Sequence, residues 1–203
     1  MYKRQVLDNL SFSIPAGSNT AVLGTFGSGV SSLFDLIFGA RSLEAGSISI
    51  NDVDIRHWSL ESLRKRVLLL RNDQILDTSV IENLRLGRHD IGLDEVHQAL
   101  KKVGLLGFFL KHPEGLKQRL QISGKSLSKN KRVALLIARA IVQKPRLLMV
   151  DELFDGLNAT AFRELSEPIL SNCENCTVLV STRVKENAKH FSHFIDLTHN
   201  ANV

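Results

Sequence analysis

The stretch TAVLGTFGSGVSSLFDLI, residues 20–37, runs from a short apolar segment into a glycine-rich corner and out into a second apolar pattern. Residues 20–23 predict a buried strand. Leu33, Leu36 and Ile37 recur at helical spacing beyond the corner. Between them lie Gly24, Thr25, Phe26, Gly27, Ser28, Gly29, Val30, Ser31 and Ser32. Gly24, Gly29 and Ser31 fit the spacing G-x-x-x-x-G-K-[ST] of a phosphate-binding loop, but Val30 stands where that loop has its lysine. A chain that wraps a phosphate must present successive N–H groups, in backbone conformations that a Cβ opposes. The helix N-terminus adds partial positive charge. Neither contribution depends on the side chain at position 30. Ser31 is a candidate Mg²⁺ ligand through its hydroxyl, and Ser32 a candidate phosphate contact. Taken alone, the loop is equally open to a second reading: a tight strand-to-helix turn with no ligand.

The totals set the frame. The 203 residues suffice for one domain with a sizeable core, or a domain plus a small subdomain. Hydrophobic residues at 43% and charged residues at 23% are ordinary for a globular chain. The net charge of +5 is mildly basic, but no basic run is interleaved with aromatics, so no specific nucleic-acid partner is expected. The apolar runs 67–70 and 133–142 are too short to span a bilayer, and the second contains Arg139. MYKRQVLDNL at the start has no apolar segment of the secretory kind. Cys173 and Cys176 form a lone CxxC without further zinc ligands nearby, and are expected to be reduced thiols. Asn175, in NCT, is then not a glycosylation site.

Along the chain, Ile48, Ile50, Val53 and Ile55 flank Asn51-Asp52 and predict a hairpin. A helix around 60–65 and a strand at 67–70 follow. Residues 75–142 predict a helical subdomain. Leu93, Val96, Leu100 and Val103 mark one helix, Pro113 and Gly115 a break. Val133, Leu136, Ile137, Ala140 and Ile141 mark another helix, which Lys144-Pro145 stops. A strand at 147–150, a helix around 161–170 and a strand at 177–181 complete an alternating α/β pattern.

LLMVDE (147–152) places Asp151 and Glu152 at the C-terminal end of a buried-type strand, where open α/β sheets hold their ligands. Asp151 suits an indirect hold on Mg²⁺ through water, and Glu152 suits orienting or deprotonating an attacking water. A solvated strand end is the plain alternative. Directly before this strand runs LSKNKRVALLIARAI, residues 127–141.

Together these stretches resemble the nucleotide-binding domain of ATP-binding cassette (ABC) transporters, nearly from end to end. VLDNLSFSIPAGSNTAVLG (6–24), DIRHWSLESLRKRVLLL (54–70), DTSVIENLRLG (77–87) and PRLLMVDE (145–152) all look like segments of that family, in its order. The resemblance implies an α/β P-loop NTPase core with a helical subdomain, shortened at its N-terminus, as a single domain over 1–203. It implies ATP and Mg²⁺ as cofactors. It implies a head-to-tail dimer with a second nucleotide-binding domain, each phosphate loop facing the other subunit's LSGGQ signature. It also implies a transmembrane partner that holds the domain at the cytoplasmic, inner face of a membrane, in export-type transport.

Residue by residue, the catalytic positions depart from the family. The loop lysine is Val30. The glutamine that bridges Mg²⁺ and the membrane domain falls on Asn72, a shorter amide. LSGGQ reads Leu127, Ser128, Lys129, Asn130, Lys131. The switch histidine falls on Arg183, and the aspartate of the loop after the catalytic glutamate falls on Asn158. The first strand and most of the adenine-stacking segment are absent, with Tyr2 the candidate to replace the stacking aromatic. Gly24, Gly27, Gly29, Ser31, Ser32, Asp151 and Glu152 keep the pattern. The expectation is a degenerate cassette that binds ATP weakly, with hydrolysis impaired or absent and a structural or regulatory role. A working ATPase that uses Glu152 with Lys129, Lys131 and Arg183 is one alternative. A soluble interaction module, with Lys125, Lys129, Lys131 and Arg132 as a basic surface, is another.

Overall fold

The computed structural model describes residues 7, 9–172 and 175–198. In chain order, strand β1 (Asn19–Leu23) leads through the glycine corner into helix α1 (Val30–Ile37). Strands β2 (Ser49–Ile50) and β3 (Val53–Asp54) form the expected hairpin. Its two turn residues, Asn51 and Asp52, both have positive φ, the backbone that a two-residue turn between twisted strands demands. Helix α2 (Leu60–Arg64) starts at Ser59, whose hydroxyl accepts the Ser62 N–H, and strand β4 (Val67–Leu70) follows.

Helices α3 (Val80–Arg85), α4 (Leu93–Lys102), α5 (Leu106–Leu110) and α6 (Lys129–Gln143) come next. Then strand β5 (Leu147–Val150), helix α7 (Ala159–Asn172), strand β6 (Thr177–Thr182), helix α8 (Lys185–Ala188) and strand β7 (His193–Asp196) complete the described chain. Helix α6 begins four residues before the apolar pattern that foretold it, because Lys129–Arg132 form a polar first turn. The short helices α3, α5 and α8 and the strand β7 carry too few periodic residues to stand out in the sequence.

The described residues fall into two compact units. The first takes its residues from Met1–Leu69, Pro145–Glu152 and Asn175–Val203, the second from Leu70–Lys144 and Leu153–Glu174. A five-stranded sheet in the order β4-β5-β6-β1-β7 frames the first. Strands β5, β6, β1 and β7 pair in parallel, with Ala21 opposite Val180 and Phe194, and Met149 opposite Leu179. Parallel pairing puts the C-terminal ends of β1, β5 and β6 on one edge, so whatever follows each strand emerges there. Val22, Leu33, Phe34, Leu69, Met149 and Leu179 are among the residues of the core beneath.

In the second unit, α6 packs on α3, α4 and α7. Arg139 of α6 is 3% exposed and Asn83 of α3 is fully buried. Arg139 donates from Nε to the Asn83 carbonyl at 2.6 Å and from Nη2 to its Oδ1 at 3.0 Å. The Asn83 amide also accepts the Leu76 N–H at 2.8 Å and donates to the carbonyls of Leu76 and Ser79. One asparagine thus satisfies a buried cation and a loop backbone at once. Burial lowers the Arg139 pKa to about 10, so the guanidinium stays charged at neutral pH and its acceptors matter. Removing the Asn83 side chain leaves Arg139 Nη2 and the Leu76 N–H without their shared acceptor, while Arg139 Nε keeps the main-chain carbonyl. Asn83→Ala is therefore expected to lower stability by about 2–4 kcal/mol, read from urea unfolding at pH 7. A loss below about 1 kcal/mol would show that Arg139 finds other acceptors.

Candidate nucleotide site

At the corner after β1, the Gly24 N–H continues the strand ladder to the Thr182 carbonyl at 3.2 Å. A Cβ at Gly24 would collide with Ser28 Oγ and with Cγ2 of Val30, so the loop folds down onto a bare Cα. Gly29 caps α1 at φ 91°, a conformation that side-chain-bearing residues resist. No side chain caps this helix, and its first N–H groups have no acceptor within it. Ser28 is 1% exposed, and its hydroxyl has no hydrogen-bond partner. Thr25 and Gly27 are exposed, and Phe26, at the loop tip, is 88% exposed. Val30 is only 9% exposed and belongs to the core cluster with Leu33 and Phe34. Val30 thus forms part of the apolar floor beneath the loop.

The carboxylates arrive from β5. Ser31 Oγ donates to Asp151 Oδ1 at 3.1 Å, joining the loop to the strand end. Asp151 is 3% exposed. Glu152 turns out of the strand with φ 52°, a left-handed backbone uncommon for a residue with a Cβ. Ser181 of β6 holds that turn: its Oγ accepts the Glu152 N–H at 2.6 Å and donates to Asp151 Oδ1 at 3.4 Å. Sequence reading missed Ser181. Its only signal is a hydroxyl just after the apolar run 178–180, two residues before the arginine that drew attention. Arg183, one residue beyond β6, pairs its guanidinium with Glu152 Oε1 and lies 5.9 Å from the Phe26 ring centroid.

The structure therefore gathers Gly24–Ser32, Asp151, Glu152 and Arg183 in the first unit. Asn72 and Leu127–Lys131 lie in the second. Tyr2 and Cys173 lie outside the described residues; Cys176 is buried. Near Asn72, the longer amide of Gln74 accepts the Arg71 N–H at 3.1 Å, which ties it into its own turn. In the signature stretch, Leu127 is buried and Ser128 is the N-cap of α6. Lys129 Nζ donates to the Asp155 carbonyl, and Lys131 Nζ sits 3.6 Å from the Phe108 ring centroid. Asn130 is exposed. Asn158 caps α7, its Oδ1 accepting the Ala161 N–H at 2.8 Å, a task that asparagine performs as well as aspartate.

The donor set can be tested against the groups that the sequence implies. Ser31 hydroxyl and Asp151 carboxylate are hard oxygen donors held together at the loop, which suits Mg²⁺ completed by phosphate oxygens and water. Among the described residues no cluster of three or more His, Cys, Asp or Glu could hold a metal by itself, so such an ion would need those outside ligands. The open amides, the unpartnered Ser28 hydroxyl and the glycine floor suit a polyphosphate. The missing ammonium group does not.

The pattern of the family described as "ABC transporter" matches residues 7–155. The "Iron-sulfur clusters transporter atm1, mitochondrial" of Aspergillus fumigatus is 33% identical, over 90% of this chain and 26% of its own length. The "Glutathione/L-cysteine transport system ATP-binding/permease protein CydD" of Bacillus subtilis is 31% identical, over 86% of this chain and 30% of its own length. A solved structure, "Structure of a bacterial Atm1-family ABC exporter with ATP bound", superposes with a TM-score of 0.87 at 25% identity, covering 97% of this chain and 35% of that one. The chain thus spans about a quarter to a third of the length of these relatives. A family pattern over most of the chain, on a parallel sheet whose edge carries the phosphate loop and its two carboxylates, places the protein in the ABC transporter family.

Proposed function

We propose that this chain is a degenerate ATP-binding domain of an export-type ABC transporter, which binds Mg²⁺-ATP weakly and hydrolyses it slowly or not at all. Its role is then structural or regulatory. It docks a transmembrane domain through the region around Asn72 and a helical subdomain at about 75–142. It pairs head to tail with a second nucleotide-binding domain, and that docking holds it at the cytoplasmic, inner face of a membrane. The observation that carries the reading is Val30, a buried core side chain in the place of the loop's cation.

The chemistry follows from what remains. Amides of the loop and the α1 N-terminus would bind phosphate oxygens, Ser31 and Asp151 would hold the ion, and Ser28 would offer a hydroxyl without a competing partner. Mg²⁺, when bound, supplies charge neutralisation at the terminal phosphates. Glu152, fixed at its backbone by Ser181, orients a water. Each lost charge-assisted hydrogen bond is worth about 1.5–3 kcal/mol. Removing a donor aimed at developing charge costs about 10²- to 10³-fold in rate. Such losses do not add within one catalytic unit, but one suffices to leave a slow ATPase nearly silent.

A second reading, a working ATPase, draws on the retained Glu152 and the intact Ser31–Asp151 contact. It needs basic side chains to replace the lost ones. Two of the three, Lys129 and Lys131, already engage the Asp155 carbonyl and the Phe108 ring of their own unit, which weakens this reading.

Two measurements test the proposal. Val30→Lys is expected to tighten Mg²⁺-ATP by about one to two decades in a binding titration, and an unchanged affinity would contradict the account of the loss. Phosphate release by the chain is expected to match that of Glu152→Gln at background level. Turnover that disappears in Glu152→Gln would establish the working ATPase instead.

A further inference from the structure

Ser181 sits where two strands part. Strand β6 pairs with β5 as far as Val180 opposite Val150, while Ser181 itself still pairs with Val22 of β1. Beyond that point the Ser181 side chain takes over from the backbone ladder. A serine hydroxyl has one proton to give and lone pairs to receive with. Both are used here: the oxygen accepts the Glu152 N–H at 2.6 Å, and the proton points to Asp151 Oδ1 at 3.4 Å. Ser181 is 5% exposed and Asp151 3%, so bulk water has little access to replace either contact.

Asp151 Oδ1 also receives the Ser31 proton, at 3.1 Å. Two hydroxyls, one from α1 and one from β6, thus converge on a single carboxylate oxygen. With its proton directed at that oxygen, Ser31 keeps its lone pairs for a cation. Where those lone pairs face depends on where Asp151 Oδ1 stands. Ser181 places that oxygen twice over. It bonds the oxygen directly, and it holds the peptide that joins Asp151 to the left-handed Glu152. An alanine at 181 would lose both contacts and leave the strand register to the backbone.

We infer that Ser181 is a positioning residue for the divalent cation, setting Asp151, and through it Ser31, in the arrangement that holds Mg²⁺ beside a bound nucleotide. This role rests on the proposed reading that the loop still binds Mg²⁺-nucleotide. Ser181 acts through Asp151 and not on the phosphates, which the loop amides bind without its help. Its loss therefore weakens only the part of the affinity that the ion contributes.

The test is a titration of the 203-residue chain with the β,γ-imido analogue of ATP, so that hydrolysis plays no part, once with Mg²⁺ and once with a chelator. The ratio of the two affinities measures the contribution of the ion. The same pair of titrations in the Val30→Lys background brings weak binding into range. Ser181→Ala is expected to reduce the ratio about tenfold, the size of a lost outer contact to a metal ligand, while affinity in chelator stays within about twofold. Ser181→Thr, which returns the hydroxyl, is expected to recover the ratio. Ser181→Cys, close in size but a weaker donor and acceptor, is expected to fall between them. An unchanged ratio in Ser181→Ala, an equal loss with and without Mg²⁺, or a loss that Ser181→Thr does not recover would make Ser181 a support of the corner alone. Any of these would overturn the inference while leaving the nucleotide site standing. Failure of the parent and of Val30→Lys to bind the analogue under either condition would overturn the inference together with the reading beneath it.

Discussion

The close approach of the loop to Gly24 is the constraint on which the site depends. Ser28 and Val30 occupy the space that a Cβ there would need, so the corner closes tightly between β1 and α1. That closure sets where the helix N-terminus points. Parallel pairing of β1 with β6 and of β6 with β5 then delivers Thr182, Arg183, Asp151 and Glu152 to the same edge. The hydrogen bond from Ser31 to Asp151 joins the two halves of this arrangement. The geometry of this corner is thus a consequence of packing and strand register, with Val30 in its floor.

What the replacement changes is electrostatic. With valine in the floor of the loop, the edge keeps two carboxylates and gains no ammonium group to offset them. The other cations of these segments have partners within their own units: Arg183 pairs with Glu152, Lys129 donates to a backbone carbonyl, and Lys131 lies over an aromatic ring. Cations without an anionic ligand find acceptors nearby, because an unpaired donor in a half-buried place is costly. The same economy explains Asn158, which keeps the capping role open to an aspartate while giving up its charge.

Much of this was legible in the residues. The corner 20–37, the Asn51-Asp52 hairpin, and the strand ending in Asp151-Glu152 rest on local chemistry: glycine backbone freedom, turn preference and apolar periodicity. The resemblance to ABC nucleotide-binding domains needed only spaced segments in order. The rest depends on three-dimensional neighbours. The inward turn of Val30 depends on the space beside Gly24. The part played by Ser181 depends on β5 and β6 being adjacent. Asn83 looks like any polar residue of a short helix until Arg139, 56 residues later, is seen to need its acceptors. The pairing of Arg183 with Glu152 joins residues 31 positions apart across two strands, and no spacing rule announces it.

The central claim is that main-chain amides at the glycine corner still form a phosphate cradle without their lysine. Backbone amide chemical shifts, followed through a titration with Mg²⁺-ATP, test it most directly. The account predicts progressive, weakly saturating shifts at Gly27, Gly29, Val30, Ser31 and Ser32, with the strands behind them unmoved. Unchanged shifts at those five amides, up to nucleotide concentrations that perturb other parts of the chain, would contradict it.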